Sequence, residues 1–188
     1  MEVIKTSIEG PLIIEPKIFG DHRGYFFESY NAKEFAEKVD PSIVFVQDNQ
    51  SYSSYGVLRG LHFQRPPHAQ AKLVRVIHGR VMDVAVDIRK GSPTYGQHVS
   101  VELSGENQRQ FFIPKGFAHG FVVLSETAIF QYKCDALYEP ASEGALAWND
   151  ADIAIDWGLL EDVIKLSEKD KHHGSLKDFD SPFEYEEL

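Results

Sequence analysis

Five side chains that can carry charge or exchange a proton lie within one short stretch of the chain: Arg59, His62, Arg65, His68 and Lys72. Apolar residues alternate with them, so the stretch is not a free surface tail. The Pro66-Pro67 pair inside it breaks any helix and imposes an extended or turning backbone. We therefore predict a strand that ends at a pocket, with a base and cations pointing inward.

His62 is the first candidate for chemistry. An imidazole is matched to proton abstraction at neutral pH, and such a base usually needs an acidic partner that fixes its tautomer. The chain has 29 Asp and Glu residues, and its sequence does not choose among them. A hydrogen-bonded core histidine without a chemical role is the alternative interpretation.

Lys72 and Tyr132 are the next candidates. A lysine at the start of a strand either protects a sheet edge from aggregation or places a positive charge beside a developing oxyanion, where one donor can be worth roughly 3 kcal/mol.

Tyr132 lies on an alternating strand, where packing inside a barrel is common. Its phenol can also donate a proton to a carbanion. For Tyr138, packing or ring stacking is favoured over catalysis.

The run 113–120, IPKGFAHG, resembles the second motif of the cupin superfamily, in which the histidine often binds a metal. A cupin metal site also needs a His-x-His pair, but the corresponding place reads His62-Phe63-Gln64. Two or three nitrogen and oxygen ligands make a poor zinc or iron site. We therefore predict that His119 contacts the substrate or supports a residue that does, and metal binding is the less favoured alternative.

Composition limits the class of protein. With 188 residues, 43% of them hydrophobic, we expect one folded domain over residues 1–188. The net charge of −10 argues against general nucleic-acid binding, and the single Cys134 excludes an internal disulfide framework. The amino terminus shows no signal pattern and no run is long enough to span a bilayer, so we expect a cytoplasmic protein without membrane contact.

Hydrophobic periodicity predicts a mainly β protein. A proline-containing edge strand fits 12–19, and one helix fits 32–39, capped by Asn31. After Pro41 the period changes to two, which predicts strands at 43–46, 71–77, 81–88, 98–103, 110–113, 120–124, 128–136 and 145–148. A hairpin turn fits 77–81, and the tail after 156 suits short helices. This pattern favours an antiparallel sandwich or barrel.

Six segments, in order along nearly the whole chain, resemble the dTDP-4-dehydrorhamnose 3,5-epimerase family: 21–28 (DHRGYFFE), 45–51 (FVQDNQS), 56–64 (GVLRGLHFQ), 113–121 (IPKGFAHGF), 148–150 (WND) and 166–170 (LSEKD). The resemblance implies an all-β, cupin-type antiparallel jelly roll with a few short helices. It also implies an isomerase that needs no cofactor and no metal and is usually a homodimer. Its substrate would be dTDP-4-dehydro-6-deoxy-D-glucose, inverted at C3 and C5 on the route to dTDP-L-rhamnose.

The resemblance also implies residue roles. His62 is the base and Asp170 its orienting partner, Tyr132 is the acid on the opposite ring face, and Lys72 stabilises the enolate. The implied substrate contacts are Arg23, Glu28, Gln47, Asp48, Asn49, Arg59, Lys72, His119, Glu143 and Lys169. Whether Arg23 and Glu28 serve their own pocket or a partner's is left open.

Other functions remain as alternatives. A relative that inverts one centre, or that acts on another dTDP-4-keto-sugar, would share the same catalytic residues. From different classes come a metal-dependent cupin oxygenase, which the missing second histidine argues against, and a sugar-binding cupin without catalysis.

Overall fold

Antiparallel β-sheets make up most of the regular secondary structure in the computed structural model, which describes residues 1–186. The strands are β1 (Glu2–Lys5), β2 (Leu12–Glu15), β3 (Phe19–Asp21), β4 (Gly24–Phe26), β5 (Gln47–Ser54), β6 (Leu58–Gln64), β7 (Lys72–His78), β8 (Arg80–Asp87), β9 (His98–Ser104), β10 (Gln110–Ile113), β11 (Phe117–Val123), β12 (Thr127–Cys134) and β13 (Glu143–Ala145). One sheet has the order β1-β2-β10-β7-β12-β5 and the other β13-β6-β11-β8-β9, while β3 and β4 form a separate hairpin. The predicted all-β antiparallel sandwich is confirmed.

The main core lies between the two large sheets. Alternate residues of each strand point inward, which is the period-two pattern that the sequence showed. Inward side chains of the two sheets pack against each other. The six-stranded sheet contributes Val74, Val76 and Phe130, and the five-stranded sheet contributes Val81, Val101 and Phe121. The rings of Phe121 and Phe130 stack with centroids 4.1 Å apart, so aromatic contacts join the two sheets.

The outer face of each sheet is covered separately. Helix α1 (Ala32–Lys38) places Phe35 against Leu73 and Phe112 of the six-stranded sheet. As predicted, Asn31 caps the helix, because its side-chain oxygen accepts from the Lys33 and Glu34 N–H groups. The segment 146–183 covers the outer face of the five-stranded sheet, and Trp157 is buried between the two. No helix among residues 1–186 has the length and apolar character that crossing a bilayer requires.

Several element boundaries differ from the sequence-based predictions. The strand predicted at 43–46 is wrong. Ile43 and Phe45 instead pack against the cluster around Phe35 of α1, and the strand begins at Gln47. The edge strand predicted over 12–19 ends at Glu15, just before Pro16, and it lies between β1 and β10 rather than at the sheet edge. In the described part of the tail, 157–186, the helical segments are 3-10 turns, at Glu161–Val163, Lys169–Lys171 and Leu176–Asp178. At the start of the second turn, the Asp170 N–H donates to Ser167 Oγ over 3.2 Å.

A β-bulge in β6 decides which of its residues face the sandwich interior. His62 lies opposite His119 on β11, and Arg59 lies opposite Phe121, so Gly60 and Leu61 together face the single residue Gly120. The extra residue shifts the alternation. Arg59 and His62 therefore reach the same side although they are three positions apart.

Gly60 permits this bulge. Its φ is +142°, and a Cβ built on it would lie 2.5 Å from the Gly120 Cα. We expect Gly60→Ala to lower the free energy of unfolding by about 2–4 kcal/mol, because backbone strain and a backbone clash add. Urea denaturation measures this. Gly24→Ala is the matched control: φ is +129° there, but a Cβ meets no atom within 4 Å. An equal loss in both variants would mean that the close approach to Gly120 contributes nothing.

Candidate active site

A cavity of about 590 Å³ opens between the two sheets. Phe121 and Phe130 form its apolar floor. Most of the residues predicted to act in catalysis or binding line it: Asn49, Arg59, His62, Lys72, His119, Tyr132, Glu143, Lys169 and Asp170. Residues far apart in the sequence therefore share one site.

The segment that carries Asp170 is fixed alongside β6 by its backbone. The Leu58 N–H donates to the Lys165 carbonyl over 3.0 Å, and the Lys165 N–H donates to the Gly56 carbonyl over 2.8 Å. These bonds place the following 3-10 turn at the cavity mouth. Asp170 reaches His62 in this way across 108 positions of sequence.

His62 and Asp170 form a close pair. The His62 Nε2 atom lies 2.6 Å from Asp170 Oδ1, and the carboxylate is buried while the imidazole is partly exposed to the cavity. Burial by itself raises the pKa of the Asp170 carboxyl, but hydrogen bonds from His62 and His173 outweigh burial and lower it overall. An ionised carboxylate accepts a proton-bearing nitrogen, so Nε2 is the donor and Nδ1 keeps the lone pair of a base.

Tyr132 and Lys72 come from the opposite wall. Tyr132 lies on β12 and Lys72 on the neighbouring β7, both in the six-stranded sheet, whereas His62 belongs to the five-stranded sheet. The Lys72 Nζ atom lies 5.8 Å from the centre of the Tyr132 ring. Burial raises the pKa of the Tyr132 phenol, which keeps it protonated at neutral pH. A proton donor therefore faces a proton acceptor across the cavity.

The Lys72 amine is held in the cavity without an ion pair. Among residues 1–186 its Nζ makes no hydrogen bond or salt bridge, and its ring contact is with Tyr132. Burial lowers the pKa of Lys72, while Cys134, Asp83 and Glu143 raise it in part. Burial also raises the pKa of Cys134 to about 11, so its thiol stays neutral. Lys72 is thus positioned to meet negative charge that develops on a bound molecule.

His119 is held by an acid that sequence reasoning missed. Its Nε2 lies 3.0 and 2.9 Å from the two carboxylate oxygens of Asp83, and both residues are buried. Burial lowers the pKa of His119 and raises that of Asp83, so both shifts favour the uncharged forms. One feature of the sequence indicates such a contact: Asp83 occupies an inward position of the apolar strand β8, beside Val81 and Ala85, where a carboxylate needs a partner.

Charged and polar groups surround the cavity mouth. Lys169 Nζ donates to Glu143, which also accepts a 3.3 Å hydrogen bond from the Tyr138 hydroxyl. Arg59 donates to Ser53 Oγ through Nη2, over 3.2 Å. No sequence pattern predicts these pairings. Their placement leaves a cation, a carboxylate and an exposed aromatic ring at the entrance.

Four of the predicted binding residues do not line this cavity. Gln47 lies beside it and is bonded to Asn49 and to the Tyr138 N–H. Asp48 points to the outer face of β5, where it pairs with Lys133 at 2.9 Å. Arg23 is exposed on the β3–β4 hairpin and paired with Asp21, and Glu28 lines a separate, smaller cavity beside α1.

The chemistry available to this arrangement is proton transfer at carbon. A base, a phenol on the other wall and an ammonium beside the phenol can remove a proton next to a carbonyl, hold the enolate and return a proton to the other face. The model of the dTDP-4-dehydrorhamnose 3,5-epimerase family matches residues 5–178. The chain belongs to this family.

Relatives support the membership over nearly the full length. The dTDP-4-dehydrorhamnose 3,5-epimerase of Salmonella typhimurium is 59% identical over 90% of this chain and 92% of its own. A crystal structure of the Elizabethkingia anophelis enzyme of that name is 55% identical, with a TM-score of 0.90 over 95% of this chain and 97% of that one. The dTDP-6-deoxy-D-glucose-3,5-epimerase of Legionella pneumophila, solved with dTDP-4-keto-L-rhamnose, is 53% identical, with a TM-score of 0.95 over 99% of both chains.

Proposed function

We propose that this isomerase converts dTDP-4-dehydro-6-deoxy-D-glucose into dTDP-4-dehydro-L-rhamnose by inverting C3 and C5. The observation that carries the proposal is the placement of His62 and Tyr132 on opposite walls of one cavity, with Lys72 beside Tyr132. Inversion requires a proton to leave one face of the sugar and another to arrive on the opposite face. Two acid–base groups on facing walls supply that geometry.

His62 begins each inversion. C3 and C5 both flank the C4 ketone, so loss of either C–H proton gives a carbanion delocalised onto the C4 oxygen. Nδ1 of His62 takes the proton, and Asp170 stabilises the imidazolium that results. Lys72 stabilises the negative charge on the oxygen while the enolate exists.

Tyr132 completes the inversion from the other side. Its O–H bond breaks as the new C–H bond forms, and the phenolate regains a proton from solvent while His62 releases one. The sugar is neither oxidised nor reduced, so this chemistry uses no redox cofactor. Because both groups exchange with solvent, each inverted carbon takes its hydrogen from water.

The nucleotide part binds at the polar end of the cavity. The planar guanidinium of Arg59 can engage phosphate oxygens with two hydrogen bonds. The remaining proposed contacts on this chain are Gln47, Asp48, Asn49, His119, Glu143 and Lys169. Asp48 requires a change of orientation or a ligand that reaches the outer face of β5, since its carboxylate pairs with Lys133.

We propose a homodimer in the cytoplasm, in which Arg23 and Glu28 act in the partner's site. Within one chain, the β3–β4 hairpin holds Arg23 away from the cavity, and Phe19 and Phe26 on that hairpin are exposed. A hairpin that projects cations and aromatic rings into solvent suits contact with a second copy.

Product analysis in heavy water tests the activity. The enzyme is incubated with the 4-keto dTDP-sugar, and the product is examined by NMR. Deuterium and inverted configuration at both C3 and C5 are expected, with full activity in the presence of a chelator. Product inverted at C3 alone would make the chain a single-centre epimerase. Loss of activity in chelator would favour a metal-dependent cupin, and unchanged sugar a binding protein.

Lys72→Met is expected to slow deuterium exchange at C3 and C5 by about 10²–10³-fold, the usual effect of removing one oxyanion donor. The substitution keeps the length of an apolar chain but removes the charge. Single-turnover exchange followed by NMR measures the effect. Lys33→Met, on the exposed surface of α1, is the control. A loss below tenfold in the Lys72 variant would remove this lysine from enolate stabilisation.

Mixing two inactive variants tests the shared site. If Arg23 serves the partner, then Arg23→Ala and His62→Asn homodimers are both impaired, whereas a heterodimer holds one site with both native residues. Unfolding and refolding an equimolar mixture is therefore expected to restore about a quarter of native activity, since half the dimers are mixed and each has one intact site. Activity no greater than the mean of the two variants would place Arg23 in its own site.

A further inference from the structure

We propose that His62, Asp170 and His173 form a binding site for a zinc ion that switches the catalytic base off. Nε2 of His62 lies 2.6 Å from Asp170 Oδ1, and Nε2 of His173 lies 3.1 Å from the same oxygen. All three atoms lie within 4.8 Å of one another. Among residues 1–186 this is the one group of three histidine, cysteine or acidic side chains gathered so closely.

The ligand set suits zinc. Two imidazole nitrogens and one carboxylate oxygen, with a fourth position left to water, form a common zinc site. Bonds of about 2.0–2.2 Å in a tetrahedron separate ligand atoms by roughly 3.3 Å. The two measured distances, 2.6 and 3.1 Å, need to open by less than about 1 Å.

The two imidazoles both direct Nε2 at one oxygen, Asp170 Oδ1. Their rings are perpendicular, with centroids 5.8 Å apart, so they approach that oxygen in different planes. His62 and Asp170 line the cavity, which supplies a path for the ion and room for its water. The net charge of −10 favours approach of a cation.

This site differs from a cupin metal site. There the ligands would be His62 and His119, which are paired across β6 and β11. Nε2 of His119 is occupied by both oxygens of buried Asp83. His173 instead comes from the tail segment that also carries Asp170, and it hydrogen-bonds to Asp170 without itself taking or giving a proton in the proposed transfers.

Zinc on His62 Nε2 stops the base by changing its tautomer. In the metal-free enzyme Nε2 carries the proton and Nδ1 the lone pair. Coordination requires the lone pair on Nε2, so the ring proton moves to Nδ1. Nδ1 is the atom that accepts the proton from the substrate C–H bond, and once protonated it can no longer act as a base. The proton count of the neutral ring does not change. This inhibitory consequence rests on the proposed function, whereas zinc binding itself does not.

Binding is tested with Zn²⁺ alone, without substrate, by calorimetry and by competition with a chromophoric chelator. One zinc per chain is expected. His173→Gln keeps an N–H donor for Asp170 but loses the ring nitrogen, so its affinity is expected to fall by roughly 100-fold or more. His172→Gln, at the exposed neighbouring position, is the matched control with unchanged affinity. Equal affinity in the native and His173→Gln proteins, or no binding, would overturn the site.

Activity gives a second, separate readout. Zinc is expected to lower kcat of the native enzyme and of His172→Gln, while His173→Gln requires about 100-fold more zinc for the same inhibition. The inhibition of each variant is expressed relative to its own zinc-free kcat. Tight binding that leaves kcat unchanged would refute the inhibitory switch. Absence of epimerase activity in zinc-free native enzyme would instead refute the proposed function and leave the binding result standing.

Discussion

His62→Asn is expected to lose solvent deuterium incorporation at both C3 and C5, by roughly 10²–10⁴-fold, the contribution of one acid–base group. The physical reason is that asparagine has no lone pair basic enough to accept a carbon-bound proton. Asp170 keeps its hydrogen bond to His173 Nε2, so the buried carboxylate keeps a partner and the fold is preserved. Exchange is measured by NMR on substrate incubated in heavy water, and circular dichroism with dTDP affinity verifies the fold.

His68→Asn provides the control for that experiment. His68 lies in the same charged stretch but is exposed and outside the cavity. Its variant is expected to exchange at the native rate. If His62→Asn exchanged both positions at an undiminished rate, the base would have to be another group in the cavity.

Strand β5 shows where sequence reasoning succeeded and where it failed. The family resemblance of the motif 45–51 predicts binding residues there, but apolar character predicts a strand at 43–46. In the structure the strand is the polar run Gln47–Ser54. Its inner face borders a polar cavity rather than the core, so the apolar alternation that reveals other strands is absent. Apolar periodicity detects strands that are buried against a core, and it does not detect a strand whose inner face borders a polar binding site.

The strands that border the core were predicted more closely, since their inward positions must be apolar. The pattern at 81–88 located β8 (Arg80–Asp87) within one residue at each end. Within that strand, however, the buried Asp83 was hidden among apolar neighbours and its contact with His119 was not foreseen. A charge buried in such a strand needs a partner, but the sequence does not say which one.

The pairing of Asp170 with His62 depended on the family resemblance alone. Nothing local connects residues 108 positions apart, and the chain offers many other acids. The structure gives the physical reason, because backbone hydrogen bonds from Lys165 fix the tail beside β6. Long-range docking of an irregular segment follows from tertiary contacts that no sequence period records.

Tyr132→Phe is expected to separate the two halves of inversion. Removing one hydroxyl leaves His62, Asp170 and Lys72 in place, so the enolate can still form and His62 can return a deuteron to the face it came from. Deuterium should therefore appear in substrate of unchanged configuration, while formation of inverted product falls by roughly 10²–10⁴-fold. NMR of one time course follows both labels. Tyr52→Phe, on the exposed face of neighbouring β5, is the control.

The outcome of that experiment decides between two geometries. If exchange and inversion fall by the same factor, Tyr132 also contributes before the enolate forms, and its role is not confined to proton donation to the opposite face. If exchange persists without inversion, the two walls of the sandwich hold separate halves of the reaction. The raised pKa of the Tyr132 phenol favours the second result, because a phenol kept neutral by burial is a donor and not a base at neutral pH.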